Sequence, residues 1–355
     1  MKPTYFGGIT VKKGNPYGTH RVIEPRGSLP QAALKISNDM ELYDDEILIN
    51  VDYLNIDSAS FTQLKEEVGG DLEKLASKII EIVNERGKMQ NPITGSGGML
   101  IGEGEKIGVA LKDKIDLKIG DKIATLVSLS LTPLRIDKIK AIQPDIDRVE
   151  IEGKAILFES GTYAILPEDL EPTLALAALD VAGAPAQVRK LVKSGNKVLI
   201  LGATGKSGLM CCYMAKKMVG KTGKIIGQAR NETRAQFLRN TEFCDEVIIC
   251  DVLNPTDVLE QTLKVNAGKE IDISINCLSI PNTEMSSILP VRDEGIVYFF
   301  SMATSFTKAA LGAEGFGKDV IMIIGNGYTK NHAQITLDIL RESKVLQTIF
   351  KEKYT

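Results

Sequence analysis

The stretch LILGATGKSG, residues 199–208, follows an apolar run, KVLIL (197–201), and opens a helical segment, GLMCCYMAKKMV (208–219). The chain then repeats that alternation. KIIGQA (224–229), EVIICDV (246–252), IDISINCL (271–278), GIVYFFSM (295–302) and VIMIIGN (320–326) read as strands. ETRAQFLRN (232–240), PTDVLEQTLKV (255–265) and EMSSILPV (284–291) read as helices between them. Apolar runs alternating with amphipathic ones are the signature of a doubly wound parallel sheet. Such sheets take ligands at the carboxyl ends of their strands, beside the turn that leaves the first strand.

That turn has two readings. Its GKS is the tail of a phosphate-binding P-loop, which needs a glycine five residues before the glycine of GKS. Ile200 stands there, inside the strand, so the loop is too short to wrap a triphosphate. Gly202, Gly205 and Gly208 instead form a GxxGxxG turn between strand and helix. The first glycine allows the tight turn, the second a close approach to a pyrophosphate, the third close helix–strand packing. The helix start adds unpaired N–H groups and a partial positive charge. Thr204, Gly205, Lys206 and Ser207 are expected along the pyrophosphate, and the strand-end residues Cys277, Leu278, Ser301 and Met302 around the ribose and nicotinamide. An acid about 20 residues beyond the glycines would bind the ribose hydroxyls of NAD. The chain has GQARNETR there, with no acid before Arg230. A guanidinium at that place clamps a 2′-phosphate, which favours NADP over NAD.

The first half, to about Leu170, has a different grain. EILINVDYL (46–54) alternates apolar and polar residues like a half-buried strand, and Gly and Pro recur throughout. One helix is expected, at 71–87, with Leu72, Leu75, Ile79, Ile82 and Val83 on one face and Gly87 as its stop. KIGDKIATLVSLSL (118–131) reads as a turn and a strand. The 355 residues, 43% of them hydrophobic, are enough for two domains. We place the first at 1–170, the dinucleotide domain at 171–330, and a closing helix and tail at 331–355.

A net charge of −3 offers no electrostatic footprint for nucleic acid or an anionic membrane. No apolar run spans a bilayer, and the first residues lack the apolar core of a secretory signal. Five cysteines, Cys211, Cys212, Cys244, Cys250 and Cys277, make no disulfide framework and no zinc ribbon, so buried reduced thiols in a cytoplasmic protein are expected. His20 and His332 are the two histidines, which restricts histidine-based chemistry. His332, before the last helix, reads as a surface or capping residue.

A β-rich half followed by a Rossmann half resembles the medium-chain dehydrogenase/reductase superfamily. Segments 45–61, 94–108 (TGSGGMLIGEGEKIG), 115–126 (IDLKIGDKIATL), 163–170 and 175–191 carry the likeness. It implies a GroES-like β-rich catalytic domain joined to a Rossmann NAD(P)-binding domain, and a homodimer built through the last strand of the Rossmann sheet. The zinc enzymes of that superfamily have a cysteine where this chain has Asp57 and a His-Glu pair where it has Gly98 and Met99. Asp57 alone cannot hold zinc, which takes three or four protein ligands, so no metal is expected.

Three further segments, GNPYGTHRVIEP (14–25), LNIDSASFTQ (54–63) and ERGKMQNPITGSGGMLIG (85–102), resemble the family of L-erythro-3,5-diaminohexanoate dehydrogenases of anaerobic lysine fermentation. That resemblance implies oxidative deamination of the diamino acid, with NADP or NAD taking hydride from C3. Water then adds to the imine and ammonium leaves. The chemistry needs a base to keep the amine neutral and to activate water. It also needs charged partners for the substrate's distal ammonium and carboxylate. In the superfamily the loop after the first strand points at the nicotinamide, which makes Asp57 and Ser58 catalytic candidates and Ser60 a substrate contact. His20 is a second base or relay, Arg21 a carboxylate clamp, and Glu103 a further substrate contact. A zinc-free NADPH-dependent quinone or enoyl reductase, and a non-catalytic NADP-binding sensor, remain alternatives at this stage.

Overall fold

The computed structural model describes residues 4–6, 9–300, 303–325 and 327–355. The chain divides into two compact units, Met1–Glu168 and Asp169–Thr355.

In the first unit two short antiparallel pairs, β1 (Thr4–Phe6) with β2 (Ile9–Val11) and β3 (Val22–Glu24) with β4 (Lys35–Ile36), precede the main sheet. That sheet holds β5 (Glu46–Ile56), β6 (Gly98–Ile107), β7 (Lys122–Thr125), β8 (Leu134–Gln143), β9 (Arg148–Phe158) and β10 (Tyr163–Ile165) in the order β10-β7-β6-β5-β9-β8, antiparallel throughout. β5 shows how sequence alternation and pairing interact. Ile47, Ile49 and Val51 face the core in odd register, whereas Leu54 and Ile56 do so in even register. The pairing with both neighbours shifts between Val51 and Tyr53, so a bulge at Asp52 resets the parity. Without it Leu54 and Ile56 would turn their apolar side chains outward.

Two helices cover this core. α1 (Ser58–Glu67) occupies what the sequence suggests is a loop, because Phe61, Leu64 and Val68 recur at helical spacing and pack inward. The polar residues between them obscured the pattern. α2 (Leu72–Arg86) begins at Asp71, whose carboxylate accepts from the Glu73 and Lys74 N–H groups, and ends at Gly87 in the left-handed region, φ 73°. Leu75, Ile79, Ile82 and Val83 are buried as expected, but Leu72, in the first turn, is 40% exposed. The expected strand within 118–131 is confined to β7; Ser128 then caps a single helical turn, Leu129–Leu131.

The second unit begins with α3 (Pro172–Leu179) and α4 (Gly183–Leu191) and continues as β11 (Lys197–Leu201), α5 (Lys206–Val219), β12 (Lys224–Ala229), α6 (Glu232–Asn240), β13 (Glu246–Ile249), α7 (Pro255–Val265), β14 (Ile271–Asn276), α8 (Glu284–Ile288), β15 (Val291–Phe299), α9 (Phe306–Gly315), β16 (Val320–Ile324), α10 (His332–Glu342) and α11 (Lys344–Tyr354). The strands form one parallel sheet ordered β13-β12-β11-β14-β15-β16, with the reversal of order between β11 and β14. The helix expected over 284–291 stops at Ile288, because Pro290 has no N–H to continue it, and Val291 already starts β15. Leu199, Leu201, Ile226, Val297 and Phe299 form the core between sheet and helices.

Cys211, Cys212 and Cys250 are buried, whereas Cys244 and Cys277 are half-buried; all five are free thiols. Burial raises the Cys211 and Cys212 thiols well above their ordinary range and pushes Cys250 up to about 12. His332 is not a surface residue. It is buried at the start of α10 against the Tyr328 ring, and burial lowers its pKa.

Candidate active site

The glycine turn after β11 has the geometry of a pyrophosphate cradle. Gly202 sits at φ 74°, a conformation that favours glycine, and its carbonyl accepts from the Gly205 N–H at 3.1 Å. A Cβ on Gly208 would lie 2.2 Å from the Gly202 oxygen and 2.8 Å from the Ala203 Cα, so α5 could not approach β11 this closely with any other residue there. Gly205 is the N-cap of α5 and brings no side-chain acceptor, so no cap competes for the first-turn N–H groups. Thr204, half-buried, and Ser207, nearly buried, flank that opening. These residues fit a dinucleotide phosphate.

Lys206 departs from expectation. Its ammonium donates to Asp180 Oδ2 at 2.7 Å and lies over the Tyr354 ring, which leaves its backbone N–H rather than its side chain for a phosphate. Gln228, in the GQARNETR segment, has a role that the sequence does not reveal. It is buried, accepts from the Gly202 N–H at 3.1 Å through Oε1, and donates through Nε2 to the Cys250 carbonyl at 3.1 Å. It therefore ties the turn to the ends of β12 and β13, and a polar residue at the end of an apolar strand was the available signal.

Arg230 stands exposed one residue past β12, and among the described residues it makes no ion pair. The neighbouring Asn231 caps α6 by accepting from the Arg234 N–H. The Cys277 N–H donates to the Leu201 carbonyl at 3.0 Å, and its thiol lies 3.8 Å from that of Cys211. The Leu278 side chain lies over Gly202. Ser301 and Met302 lie outside the described residues.

In the first unit Asp57 follows the last residue of β5 and starts α1. Its carbonyl accepts from the Phe61 N–H at 2.9 Å and its Oδ1 from the Ser60 N–H at 3.4 Å, as an N-cap does. Its Oδ2 accepts from the Ser96 hydroxyl. Ser60 is fully buried, with its Oγ 2.8 Å from Ser96 Oγ and 2.5 Å from Thr94 Oγ1. Ser96 and Thr94 belong to the turn before β6, where Gly97 and Gly98 have no room for side chains. A Cβ on Gly98 (φ 108°) would lie 2.0 Å from the Asn55 oxygen, and one on Gly97 2.4 Å from the Met89 oxygen. Buried Asn91 fixes the turn. Its Nδ2 donates to Gln63 Oε1 at 2.6 Å and to the Ser60 carbonyl at 3.3 Å, while its Oδ1 accepts from the Ile93 and Thr94 N–H groups.

Ser58 is exposed and donates to Asp147 Oδ2 at 2.5 Å. Asp147, at φ 53° in the β8–β9 turn, gives its carbonyl to the Ile56 N–H, so that turn also braces the end of β5. A pocket of about 440 Å³ opens beside α1, lined by Phe61, Thr62, Lys65, Glu66, Gly70 and Asp147. It presents both signs of charge.

The structure does not bring His20, Arg21 or Glu103 to Asp57. Arg21 is 2% exposed and its guanidinium is fully engaged. Nε and Nη2 donate to the two oxygens of Glu46 at 2.6 Å each, Nη1 donates to the Asp39 carbonyl, and Nη2 also to that of Glu41 at 2.8 Å. His20 Nδ1 accepts from the Asn15 N–H at 2.9 Å, which makes Nε2 the protonated nitrogen, and that one faces Glu46 Oε1 at 2.8 Å. Glu46 begins the eleven-residue β5 and Asp57 follows its end. At about 3.3 Å per residue the two lie roughly 36 Å apart along the strand. His20 and Arg21 are therefore parts of a buried ion-pair network, and the expected clamp is corrected to a structural tie. Burial works to raise the Glu46 pKa, but the hydrogen bonds from Arg21 and His20 outweigh it and hold the carboxyl below its ordinary range. Glu103 is exposed on β6 between Asn50 and Lys122, about 16 Å along the strand from Gly98.

Lys88, in the segment 85–102, is a further residue whose role the sequence does not reveal. It is fully buried and its ammonium donates to the Pro30 carbonyl at 2.6 Å; burial lowers its pKa to about 8. It anchors the N-terminal segment onto the end of α2. Among the described residues no three His, Cys, Asp or Glu side chains gather as a metal site would require.

Residues 20–167 match the family model of the L-erythro-3,5-diaminohexanoate dehydrogenase N-terminal domain. The chain is 69% identical over 342 residues to the L-erythro-3,5-diaminohexanoate dehydrogenase of Acetoanaerobium sticklandii, covering 96% of this chain and 99% of that protein. It is 65% identical over 344 residues to the enzyme of that name from Fusobacterium nucleatum subsp. nucleatum, covering 97% and 100%. Among solved structures, the Escherichia coli quinone oxidoreductase complexed with NADPH superposes with a TM-score of 0.53 at 17% identity, over 86% of this chain and 81% of that one, which shows a shared fold. With identities of 65% and 69% over nearly the full length of this chain and of both relatives, the chain belongs to the L-erythro-3,5-diaminohexanoate dehydrogenase family.

Proposed function

We infer that the chain catalyses the NAD(P)-dependent oxidative deamination of L-erythro-3,5-diaminohexanoate to 5-amino-3-oxohexanoate with release of ammonium, a step of lysine fermentation. The observation that carries this is near-full-length identity of 69% to a dehydrogenase of that substrate. The bound nicotinamide supplies the hydride acceptor. Asp57, held by Ser96 and its own helix cap, takes the proton that keeps the C3 amine neutral and then activates water. Ser58 and Ser60 shape the loop around it. Nitrogen's lone pair stabilises the cation that develops at C3. Lys65, with Glu66 and Asp147, supplies charges complementary to the substrate's carboxylate and distal ammonium in the pocket beside α1. Addition of the diamino acid to protein and oxidised cofactor is expected to raise absorbance at the reduced nicotinamide band. Lysine and 3-aminobutanoate serve as comparisons, and no reduction of either cofactor by the diamine sinks the assignment.

NADP is the preferred cofactor in this reading, on the strength of Arg230 and the missing acid after β12. Arg230→Ala is expected to lower kcat/KM for NADP about 10- to 100-fold, the worth of a charge-assisted hydrogen bond, and to leave NAD nearly unchanged. An unaltered NADP-to-NAD ratio removes the clamp. A homodimer joined along β16 completes the proposal. β16 is the sheet's edge, Ile321 and Ile324 on it are exposed, and Phe306, Leu311 and Phe316 of the adjoining α9 region add apolar surface. The free, unpaired thiols suit the reducing cytoplasm.

A further inference from the structure

We propose that the hydroxyls of Ser96, Ser60 and Thr94 form a proton wire that carries the proton released in each turnover from Asp57 to solvent. The proposal rests on the reading of Asp57 as the base. An alkylammonium, oxidised cofactor and water become a ketone, ammonium, reduced cofactor and one proton. That proton has to leave a half-buried carboxylate, because Asp57 must be ionised again before the next amine arrives.

The geometry supplies a path. Ser96 Oγ donates to Asp57 Oδ2, Ser60 Oγ lies 2.8 Å from Ser96 Oγ, and Thr94 Oγ1 lies 2.5 Å from Ser60 Oγ. The middle member is fully buried and the last is exposed, so the chain runs from the carboxylate through the interior to water. Each hydroxyl has one hydrogen to give and lone pairs to accept another, which is what a relay needs. With Asp57 ionised, donation runs Thr94 to Ser60 to Ser96 to Asp57. With Asp57 protonated, all three O–H bonds reverse: the carboxyl proton passes to Ser96, that of Ser96 to Ser60, that of Ser60 to Thr94, and that of Thr94 to a water. No electron changes hands. Asn91 touches no reacting group and is a positioning residue. Its hydrogen bonds to the Ser60 carbonyl and to the Thr94 N–H hold the two ends of the Ser60–Thr94 link in register. This also gives a purpose to the NPITGS run within residues 85–102, which the deamination chemistry alone leaves unused.

The test is steady-state deamination by the full-length protein in dilute buffer. Thr94→Val keeps the shape of an exposed side chain and removes the outer hydroxyl. It is expected to lower kcat about 10-fold, below the full worth of general acid–base participation, with KM unchanged. Raising the concentration of imidazole, a small base able to collect the proton, should restore kcat. Thr94→Ser should behave as the unmodified protein, and Ser60→Ala, which leaves only the longer 3.4 Å contact between the Thr94 and Ser96 hydroxyls, should show a smaller loss with the same rescue. Wild-type kcat in Thr94→Val, or a loss that imidazole does not restore, overturns the wire. Asp57→Asn separates the two claims. If it is inactive while Thr94→Val is normal, only the wire fails; if it keeps its activity, the reading of Asp57 fails and the wire with it.

Discussion

Asp57→Asn is expected to lower kcat for deamination about 10³-fold, in the middle of the range that a positioned general base contributes. The change is close to isosteric. The amide oxygen still accepts from the Ser60 N–H at the start of α1, so the helix cap and the fold should survive. What disappears is the capacity to take a proton from the C3 ammonium and from water. Affinity for the reduced cofactor, read by fluorescence titration, should stay within a few-fold, because the glycine turn, Gln228 and the start of α5 belong to the other compact unit and are untouched. A kcat within about three-fold of the unmodified protein would move the base elsewhere and leave Asp57 as a helix cap alone.

Glu46→Gln should carry the largest cost in stability, about 3–5 kcal/mol, the penalty of leaving one member of a buried pair uncompensated. Glu46 is fully buried and Arg21 is 2% exposed, so water cannot take the place of the missing carboxylate. The Gln amide accepts one hydrogen bond from Arg21 where the carboxylate accepts two and balances the charge. The expected readout is a fall in the urea midpoint, with kcat per folded molecule unchanged because the pair sits at the far end of β5 from Asp57. The pH dependence has a definite sign. The Glu46 carboxyl is held below its ordinary value of 4.5, so its contribution is complete above that value and is lost as pH falls through the lower folded one. In the unmodified protein stability should therefore drop on the acid side below about pH 4.5, and Glu46→Gln should lack that part of the drop. Equal acid limbs in the two proteins, or a midpoint that does not move, would count against the network as a stability element.

His20 and Arg21 mark where reading residue types goes astray. A histidine and an arginine side by side in a glycine- and proline-rich segment look like base and clamp, and nothing local distinguishes them from a buried tie. The distinction lies with Glu46, 25 residues away, which begins a core strand and meets them only when the segment folds back. Lys206 shows the same effect on a smaller scale. Its place in the glycine turn is a phosphate-binding one, yet Asp180 and Tyr354 draw its ammonium aside. Asn91, Ser96 and Gln228 escaped notice for the opposite reason: small neutral polar residues in turns or at strand ends are common, and their importance appears only in what they touch.

The sequence by itself determined the doubly wound half of this protein, because hydrophobic period, glycine spacing and helix starts are local properties. KVLIL followed by GATGKSG specifies a strand, a tight turn and a helix start whatever the rest of the chain does. It also ruled out the P-loop, through Ile200, and selected the diamino-acid dehydrogenase family through three segments of the first half. The tertiary structure alone decided which residues keep company with Asp57. The bulge at Asp52 sets the facing of Leu54 and Ile56. The turn held by Asn91 brings Thr94 and Ser96 onto Ser60, more than thirty residues earlier in the chain. Hydrogen bonds are directional and short, so they depend on where the backbone brings distant residues together, and that placement follows from strand register and core packing rather than from any stretch of sequence read alone.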